Sequence, residues 1–534
     1  METVKVTLPR YPQLCGGVGF HNNDATLYHI IDKELFLQTI CKDYREISPG
    51  FMRTFAGFDD WTKEAMDEFA EYYEQMQKWT DTPMYLTAGN GKKHFTDAEM
   101  EVYCENVAKN LSYLYHEKNV KHIRYYCYSN EMSCGMWGVL LCDLPRFKKY
   151  HEYLFRAFAR HGLPIGLIAT DASGYKAWSS IDYAAEEMAD ITEDYCLHIY
   201  EREHDIDDLD FYDFFYQKCK EVVDKAIRQF GKRFILGEVG ITKTMGNLQF
   251  HGNVVLDKCS YFEDPAQEAY CPLMQTEMVF AAINAGVFGM AFWTFIDHPD
   301  PYSCAYSTGD DYARRWGEAE RFFSCTMDTK YNQWGFLKWD GQPRAPYFCL
   351  SFAMKFFRRN SKVLEIGTND PLLRACGVQN PDGSVTVGIV NRAKEEKPVS
   401  LDWADFTKAV RVYEYDSNNV PQNRFGDLPA PAAVLPKEKA QYTLKPDSVT
   451  YFTTDYLEKA APVEARKVEV SNGILTWETV TDKNHCYYRV FAGKTEDFAI
   501  SYESQIASTV ATALPVTDET LFYRVLSVDR SGNC

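Results

Sequence analysis

The sequence predicts an α/β protein: a (β/α)8 TIM barrel followed by two antiparallel β-sandwiches. Three observations lead there. Between residues 16 and 360, short runs suited to buried strands alternate with amphipathic stretches of helical period. Eight such units are present, the number that closes a barrel. After residue 361 the texture changes to short alternating runs separated by Asn, Asp, Gly and Pro, which is the pattern of sandwiches.

The strand candidates, in order, are residues 17–21, 52–56, 84–87, 122–128, 165–170, 191–199, 234–238 and 287–295. Between them, residues 62–80, 96–118, 145–161 and 212–230 place apolar side chains at helical spacing. Thr96-Asp97-Ala98-Glu99 reads as a capping box opening the second of these helices. A doubly wound open sheet is the competing fold. It needs fewer strands, and no glycine fingerprint follows the first one here.

The barrel is expected over residues 10–360, with a last helix near 344–359, and the first sandwich over 361–455. Residues 1–9 alternate through Val4, Val6 and Leu8 and are expected to add a strand to that sandwich. A linker near 456–465, containing Ala-Ala-Pro, leads to a third unit over 462–534. There Trp477 in the second strand and a closing hairpin FYRVLSVDRSGN resemble a fibronectin type III module, which implies a spacer or docking surface rather than a catalyst.

Composition excludes several classes of function. The chain has 534 residues, too many for one core. Its formal charge is −19 with no basic block, so nucleic acid is a poor partner. No run of 18 apolar residues offers a membrane span. The N-terminus METVKVTLPR lacks the apolar segment and cleavage site of a leader, which points to the cytoplasm unless a leader was removed. The 16 cysteines include no C-x-x-C pair, and Cys41, Cys104, Cys196 and Cys349 lie in apolar segments as small hydrophobes. No H-E-x-x-H or similar spacing occurs, so neither a metal nor a cofactor is expected. The aromatic share is 15%; most of these rings fill cores, and a surplus beyond that suits the binding of flat, partly apolar sugar rings. Oligomeric state leaves no mark on the sequence.

In a barrel of this kind, residues that end the strands gather at one rim. Those ends are His21-Asn22, Arg53, a third strand running on toward Asn90, Asn130-Glu131, Asp171, His198-Ile199-Tyr200, Glu238 and Trp293. Polar, titratable and aromatic groups thus fall at the same end of successive strands. An Asn-Glu pair taken alone is most often a solvated surface feature. Glu238 is different, because it interrupts the apolar run FILGEVGI, where an unpaired charge is costly. Two glutamates facing each other across the mouth are what glycosidic cleavage requires. Carboxyls about 5 Å apart imply a covalent intermediate and retention, whereas a gap of roughly 6.5–9.5 Å implies inversion.

Asn-Glu after strand 4, His-x-Tyr after strand 6, Gly237-Glu238-Val239-Gly240 at strand 7 and Trp293 after strand 8 resemble the clan A glycoside hydrolases. The barrel-plus-sandwich layout is similar to families 39, 30 and 51, and the sequence around Glu238 is nearer to family 5. The resemblance implies that Glu131 is the general acid/base and Glu238 the nucleophile. It implies that Asn130 holds the sugar 2-hydroxyl, Tyr200 hydrogen-bonds the nucleophile, His198 and Arg53 orient the carboxylates, and Trp293 floors the sugar subsite. His21 completes the expected substrate-binding set. The acid of the pair is expected to have its pKa raised by the neighbouring carboxylate. Met132 follows Glu131 where many of these families have proline, which leaves the family within the clan open.

Residues 242–272 and 297–334 read as long aromatic-rich loops (Phe250, Tyr261, Tyr302, Tyr306, Trp316, Trp334) that either cover the rim or close one end of a cleft. The second case implies an enzyme acting at chain ends of an oligosaccharide or glycoside. The alternatives are a carbohydrate-binding barrel without catalysis and a transglycosidase.

Overall fold

The computed structural model describes residues 1–22, 33–56, 61–88, 95–133, 140–202, 209–242, 265–296, 335–338, 341–403, 407–437, 440–458 and 465–534. Asn90, the six aromatic residues of the two long loops and most of the predicted linker fall outside them.

Eight parallel strands close into a barrel: Gly17–His21, Met52–Phe55, Met84–Thr87, Ile123–Cys127, Gly166–Ser173, Asp194–Arg202, Phe234–Thr242 and Gly289–Phe292. Each pairs with the next, and the eighth returns to the first with Gly289 opposite Gly17 and Phe292 opposite Phe20. The strand rows are apolar on both faces because helices cover the outside while the lumen is filled by side chains. That lumen holds Phe51, Tyr85, Tyr125, Cys127, Ile168, Cys196, Ile235 and Ala291. The site therefore rests on a solid plug.

The helices form for local reasons that the sequence displays. Thr62 caps Lys63–Gln77 by accepting from the Ala65 amide, and Met66, Phe69, Ala70, Tyr73 and Met76 make its buried stripe. Thr96 and Glu99 form the predicted capping box of Asp97–Ser112, which continues as a π-helical turn over Tyr113–Glu117. Leu144–Arg160, Phe211–Phe230 and Ala345–Phe356 match the remaining expectations. The segment expected as a loop up to residue 272 differs: a helix, Pro265–Ala285, starts within it and carries Pro272 inside. Proline ordinarily marks a helix boundary, because it lacks the N–H for the i−4 bond.

A seven-stranded and a four-stranded sheet come after the barrel. Glu2–Thr7 lies in the four-stranded sheet, antiparallel to Glu365–Gly367 and parallel to Lys397–Asp402. Its inward residues Val4 and Val6 join Val387, Ile389, Leu401 and Phe452 in one core. Phe352 and Phe356 of the last barrel helix each lie 5.1 Å from the Tyr413 ring, which fastens the sandwich to the barrel.

The C-terminal unit consists of two three-stranded antiparallel sheets. Trp477 lies just past Ile474–Thr476, buried edge-on against Tyr488 at 5.5 Å. The expected closing hairpin is instead one strand, Phe522–Asp529, ending in a turn. There the Asp529 carboxylate accepts from the amides of Ser531 and Asn533, and this competes with a return strand.

Among the described residues, no helix is long and apolar enough to cross a membrane.

Candidate active site

Two irregularities in strand pairing shape the site. Between the fifth and sixth strands Thr170 faces Cys196 and Ala172 faces Leu197, so Asp171 is an extra residue with φ of 58°. Between the sixth and seventh strands Leu197 faces Leu236 and His198 faces Glu238, so Gly237 is extra. An inserted residue breaks the alternation of side chains and re-aims those beyond it. Asp tolerates the left-handed region better than most side chains. Gly237 is glycine for want of space: a Cβ there would lie 2.4 Å from Cys196 Sγ and 3.1 Å from the Tyr85 ring.

Arg53, fully buried within the second strand, is the hub. Its Nη1 donates to Glu238 Oε2 at 2.7 Å, and its Nη2 donates to Asn130 Oδ1 at 2.5 Å and Asp171 Oδ2 at 3.0 Å. Tyr200 donates to the other Glu238 oxygen. Glu131 stands just past the fourth strand at φ of 50°, a conformation that costs energy outside glycine and that gathers at functional sites. His198 Nδ1 lies 3.4 Å from Glu131 Oε1, while its Nε2 lies 2.8 Å from Asp171 Oδ1. Oxygens of Glu131 and Glu238 and a ring nitrogen of His198 all fall within 4.8 Å of one another. The two glutamates, contributed by opposite parts of the sequence, thus share one hollow.

All eight predicted site residues occupy this rim, in two groups. Glu131, Glu238, Arg53, Asn130, His198 and Tyr200 form the polar group. His21 and Trp293 form an aromatic wall with Phe55: the His21 ring centre lies 4.6 Å from Phe55 and 4.4 Å from Trp293. Phe55 in turn lies under the Arg53 guanidinium at 5.5 Å.

Sequence reasoning passed over Asp171, Tyr85 and Cys196 as site residues. Asp171 is fully buried and accepts from Arg53, His198, Tyr85 (2.6 Å), Cys196 (3.1 Å) and Thr87 (3.3 Å). The available signal was an aspartate closing the apolar run LIATD with nothing nearby in sequence to neutralise it. Ser133 also ties the segment after Glu131 to the fifth strand, accepting from the Ser173 amide at 2.8 Å and donating to its carbonyl at 3.0 Å.

The electrostatics result from burial and these partners. Burial opposes the ionised form of Asp171, but the His198 and Arg53 charges outweigh it and hold the carboxyl well below its usual range. Burial opposes the imidazolium of His198, yet the Asp171 charge outweighs it and raises the ring well above its ordinary pKa. Burial raises Glu238 above the ordinary carboxylate value, with Glu131 adding in the same direction. Burial also pushes Glu131 up, but the hydrogen bond and charge of His198 bring it below the ordinary value. This reverses the expectation that the acid of the pair is the raised one. The physical reason is the imidazolium, which touches Glu131. The groupings Asp171–Cys196–His198 and Glu131–His198–Glu238 bring metal-ligand donor types within 4.8 Å of one another, and both depend on His198.

No protein-family model matches the chain, and no curated protein matches it. Solved structures do resemble it in fold. The bacterial orthologue of human α-L-iduronidase superposes with a TM-score of 0.59 at 11% identity, covering 100% of this chain and 98% of that one. The catalytic domain of GH30 xylanase C from Talaromyces cellulolyticus gives 0.56 at 13%, covering 85% and 99%. The α-L-arabinofuranosidase from Thermotoga maritima gives 0.54 at 13%, covering 85% and 100%. The fold is thus the barrel-with-sandwich fold found in glycoside hydrolases of the clan that the strand-end residues resemble.

Proposed function

We propose that the protein is a retaining glycoside hydrolase that cleaves a β-type glycosidic bond, or its α-L counterpart, at the ends of carbohydrate chains. One observation carries the reading: oxygens of Glu131 and Glu238 within 4.8 Å of each other at the barrel mouth, near the roughly 5–5.5 Å of enzymes that form a covalent glycosyl intermediate. The glycosidase names of the fold neighbours point the same way.

In this reading the Glu238 carboxylate attacks the anomeric carbon. The bond to the leaving oxygen breaks, its electron pair goes to that oxygen, and Glu131 supplies the proton. Water then attacks the glycosyl ester, Glu131 takes its proton, and Glu238 is released. Arg53 and Tyr200 steady the nucleophile with one donor on each oxygen, and Arg53 also holds the Asn130 side-chain carbonyl. His21, Phe55 and Trp293 offer the ring an apolar wall. Catalysis needs Glu131 protonated and Glu238 ionised, and substrate favours this. It shields Glu131, whose side chain is 19% exposed, and burial raises a carboxyl. Positive charge developing at the anomeric carbon lies against Glu238 and lowers it.

The test is a panel of nitrophenyl β-D and α-L glycosides. Glu238→Ala is expected to abolish turnover, and azide to restore it with formation of a glycosyl azide of inverted configuration. Glu131→Ala is expected to lose roughly 10²–10⁴-fold on glycosides with poor leaving groups and little on activated ones. Absence of turnover across the panel, with sugar still bound, favours the non-catalytic barrel. Transfer to added alcohols in preference to water favours the transglycosidase. Internal cuts appearing before monosaccharide remove the chain-end assignment.

A further inference from the structure

Asp171 takes no part in the bond-making and bond-breaking steps assigned to the glutamates, yet it accepts five hydrogen bonds in the centre of the site. Its position is not a by-product of regular strand geometry. It is the inserted residue of a bulge and is held at φ of 58°, which turns its carboxylate into the barrel between Arg53 and His198. The contacts are at 3.0 Å from Arg53 and 2.8 Å from His198.

We propose that Asp171 is a positioning residue for the acid/base: it fixes the His198 ring as a doubly donating imidazolium whose Nδ1–H is aimed at Glu131. The inference rests on the hydrolase reading for its kinetic consequence and on geometry alone for the state of His198. The ring has two nitrogens, each within reach of a carboxylate oxygen, Asp171 at 2.8 Å and Glu131 at 3.4 Å. A neutral ring donates to only one of them and leaves the other facing a lone pair. Protonation lets both bonds form. The shorter one, to the fully buried anion, fixes the ring plane, and the longer one takes its direction from that plane.

The remaining charges facing His198 agree. The second strand contributes the Arg53 cation, the third Tyr85, the fourth Glu131, the fifth Asp171, the sixth Cys196 and Tyr200, and the seventh Glu238. Tyr85 stays a phenol and Cys196 a thiol, each pushed up by burial, with Asp171 adding to both, so both act as donors. Three carboxyls then face two cations, Arg53 and His198. Asp171 is in contact with both of these cations. Without Asp171, the second cation has no fixed counter-charge.

The experiment tracks the His198 imidazole by NMR of ring-labelled protein from pH 5 to 9, in wild type and in Asp171→Asn. Wild-type His198 is expected to stay doubly protonated throughout. In Asp171→Asn it is expected to titrate within this range and to be neutral at pH 8. A neutral wild-type ring at pH 7, or a ring still charged at pH 8 in the variant, overturns the proposal whatever the enzyme hydrolyses. If Asp171→Asn does not fold, the wild-type titration alone decides. For glycosides that wild type turns over, Asp171→Asn is expected to lose at least tenfold more kcat/KM on an alkyl glycoside than on a dinitrophenyl one. A merely structural loss lowers both equally, and an equal loss counts against the proposal. Absence of wild-type turnover overturns the hydrolase reading and leaves the imidazole result standing.

Discussion

Arg53 shows what a single residue type contributes. Three acceptors, Glu238 and Asp171 on two strands and Asn130 past the end of a third, are reached by one planar fork that nothing but arginine supplies. Arg53→Lys keeps the charge and loses the fork. The ammonium is a point charge that reaches one or two of the three, leaving a buried acceptor unsatisfied at about 1–3 kcal/mol. The variant is expected to fold with a lower urea midpoint and to lose kcat/KM on the order of 10²-fold through displacement of Glu238. Unchanged kcat/KM would show that the fork does not position the nucleophile. At this scale the sequence was legible where a charge interrupts an apolar run at a strand end, as at Glu238, or sits in a recognisable pair, as at Asn130-Glu131. Asp171 met the first condition, but its five partners come from residues 53, 85, 87, 196 and 198, and no local pattern announces a long-range cage.

At the scale of elements, the strands most displaced from expectation are those that carry the site. The fifth runs through Ser173 rather than stopping near 170, the sixth spans Asp194–Arg202 rather than 191–199, and the seventh continues to Thr242. Their C-terminal ends hold Asp171, Tyr200, Glu201 and Glu238, polar residues that break the apolar signature of a buried strand. Backbone pairing with neighbours keeps Tyr200, Glu201 and Glu238 extended regardless, as Tyr200 opposite Gly240 shows. At the other end of the sixth strand, Ile191 and Thr192 look strand-like, but the Ile191 amide still bonds back to Met188. Bulges are invisible to a period-2 reading because each adds one residue out of phase. The bulge at Gly237 gives a sharp test. Gly237→Ala places a methyl against Cys196 Sγ and the Tyr85 ring, and overpacking of this kind costs about 1–3 kcal/mol. Removing the sulfur should relieve it, so Gly237→Ala with Cys196→Ala is expected to be more stable than the sum of the single changes in a denaturation cycle. Strict additivity would mean that the close approach is not what keeps this position glycine.

Across the whole molecule, the charge pattern of the active site recurs where its three parts meet. Helix Cys41–Ile47 of the barrel, Asp427 of the sandwich and the strands of the C-terminal unit bury a cluster in which Lys42 contacts Asp43 at 3.1 Å, Glu46 at 2.9 Å and Asp427 at 3.2 Å. Asp427 also accepts from Arg489, Gln505 and Ser508, and Lys42 lies 4.8 Å from the Tyr487 ring centre. The C-terminal unit is therefore joined through desolvated charge, which makes it part of the folded body rather than a hanging spacer. Three carboxylates at the centre, Asp43, Glu46 and Asp427, face the cations Lys42, Arg489 and Lys355, the last 3.9 Å from Glu46. Burial pushes the Asp43 carboxyl up to about 7, against which Lys42 and the Tyr347 hydroxyl, 2.8 Å away, pull only part of the way down. A folded-state pKa above the unfolded value of 3.8 means that the native chain binds this proton more tightly. Its contribution to stability is whole below pH 3.8, declines as pH rises, and is gone above about 7. Asp43→Asn keeps an acceptor for Tyr347 and Lys42 but has no proton to lose. It is expected to flatten the fall in stability between pH 4 and 7 and to raise the urea midpoint at pH 7.5 relative to wild type. Should both proteins decline in parallel over that range, the proton is not held at Asp43.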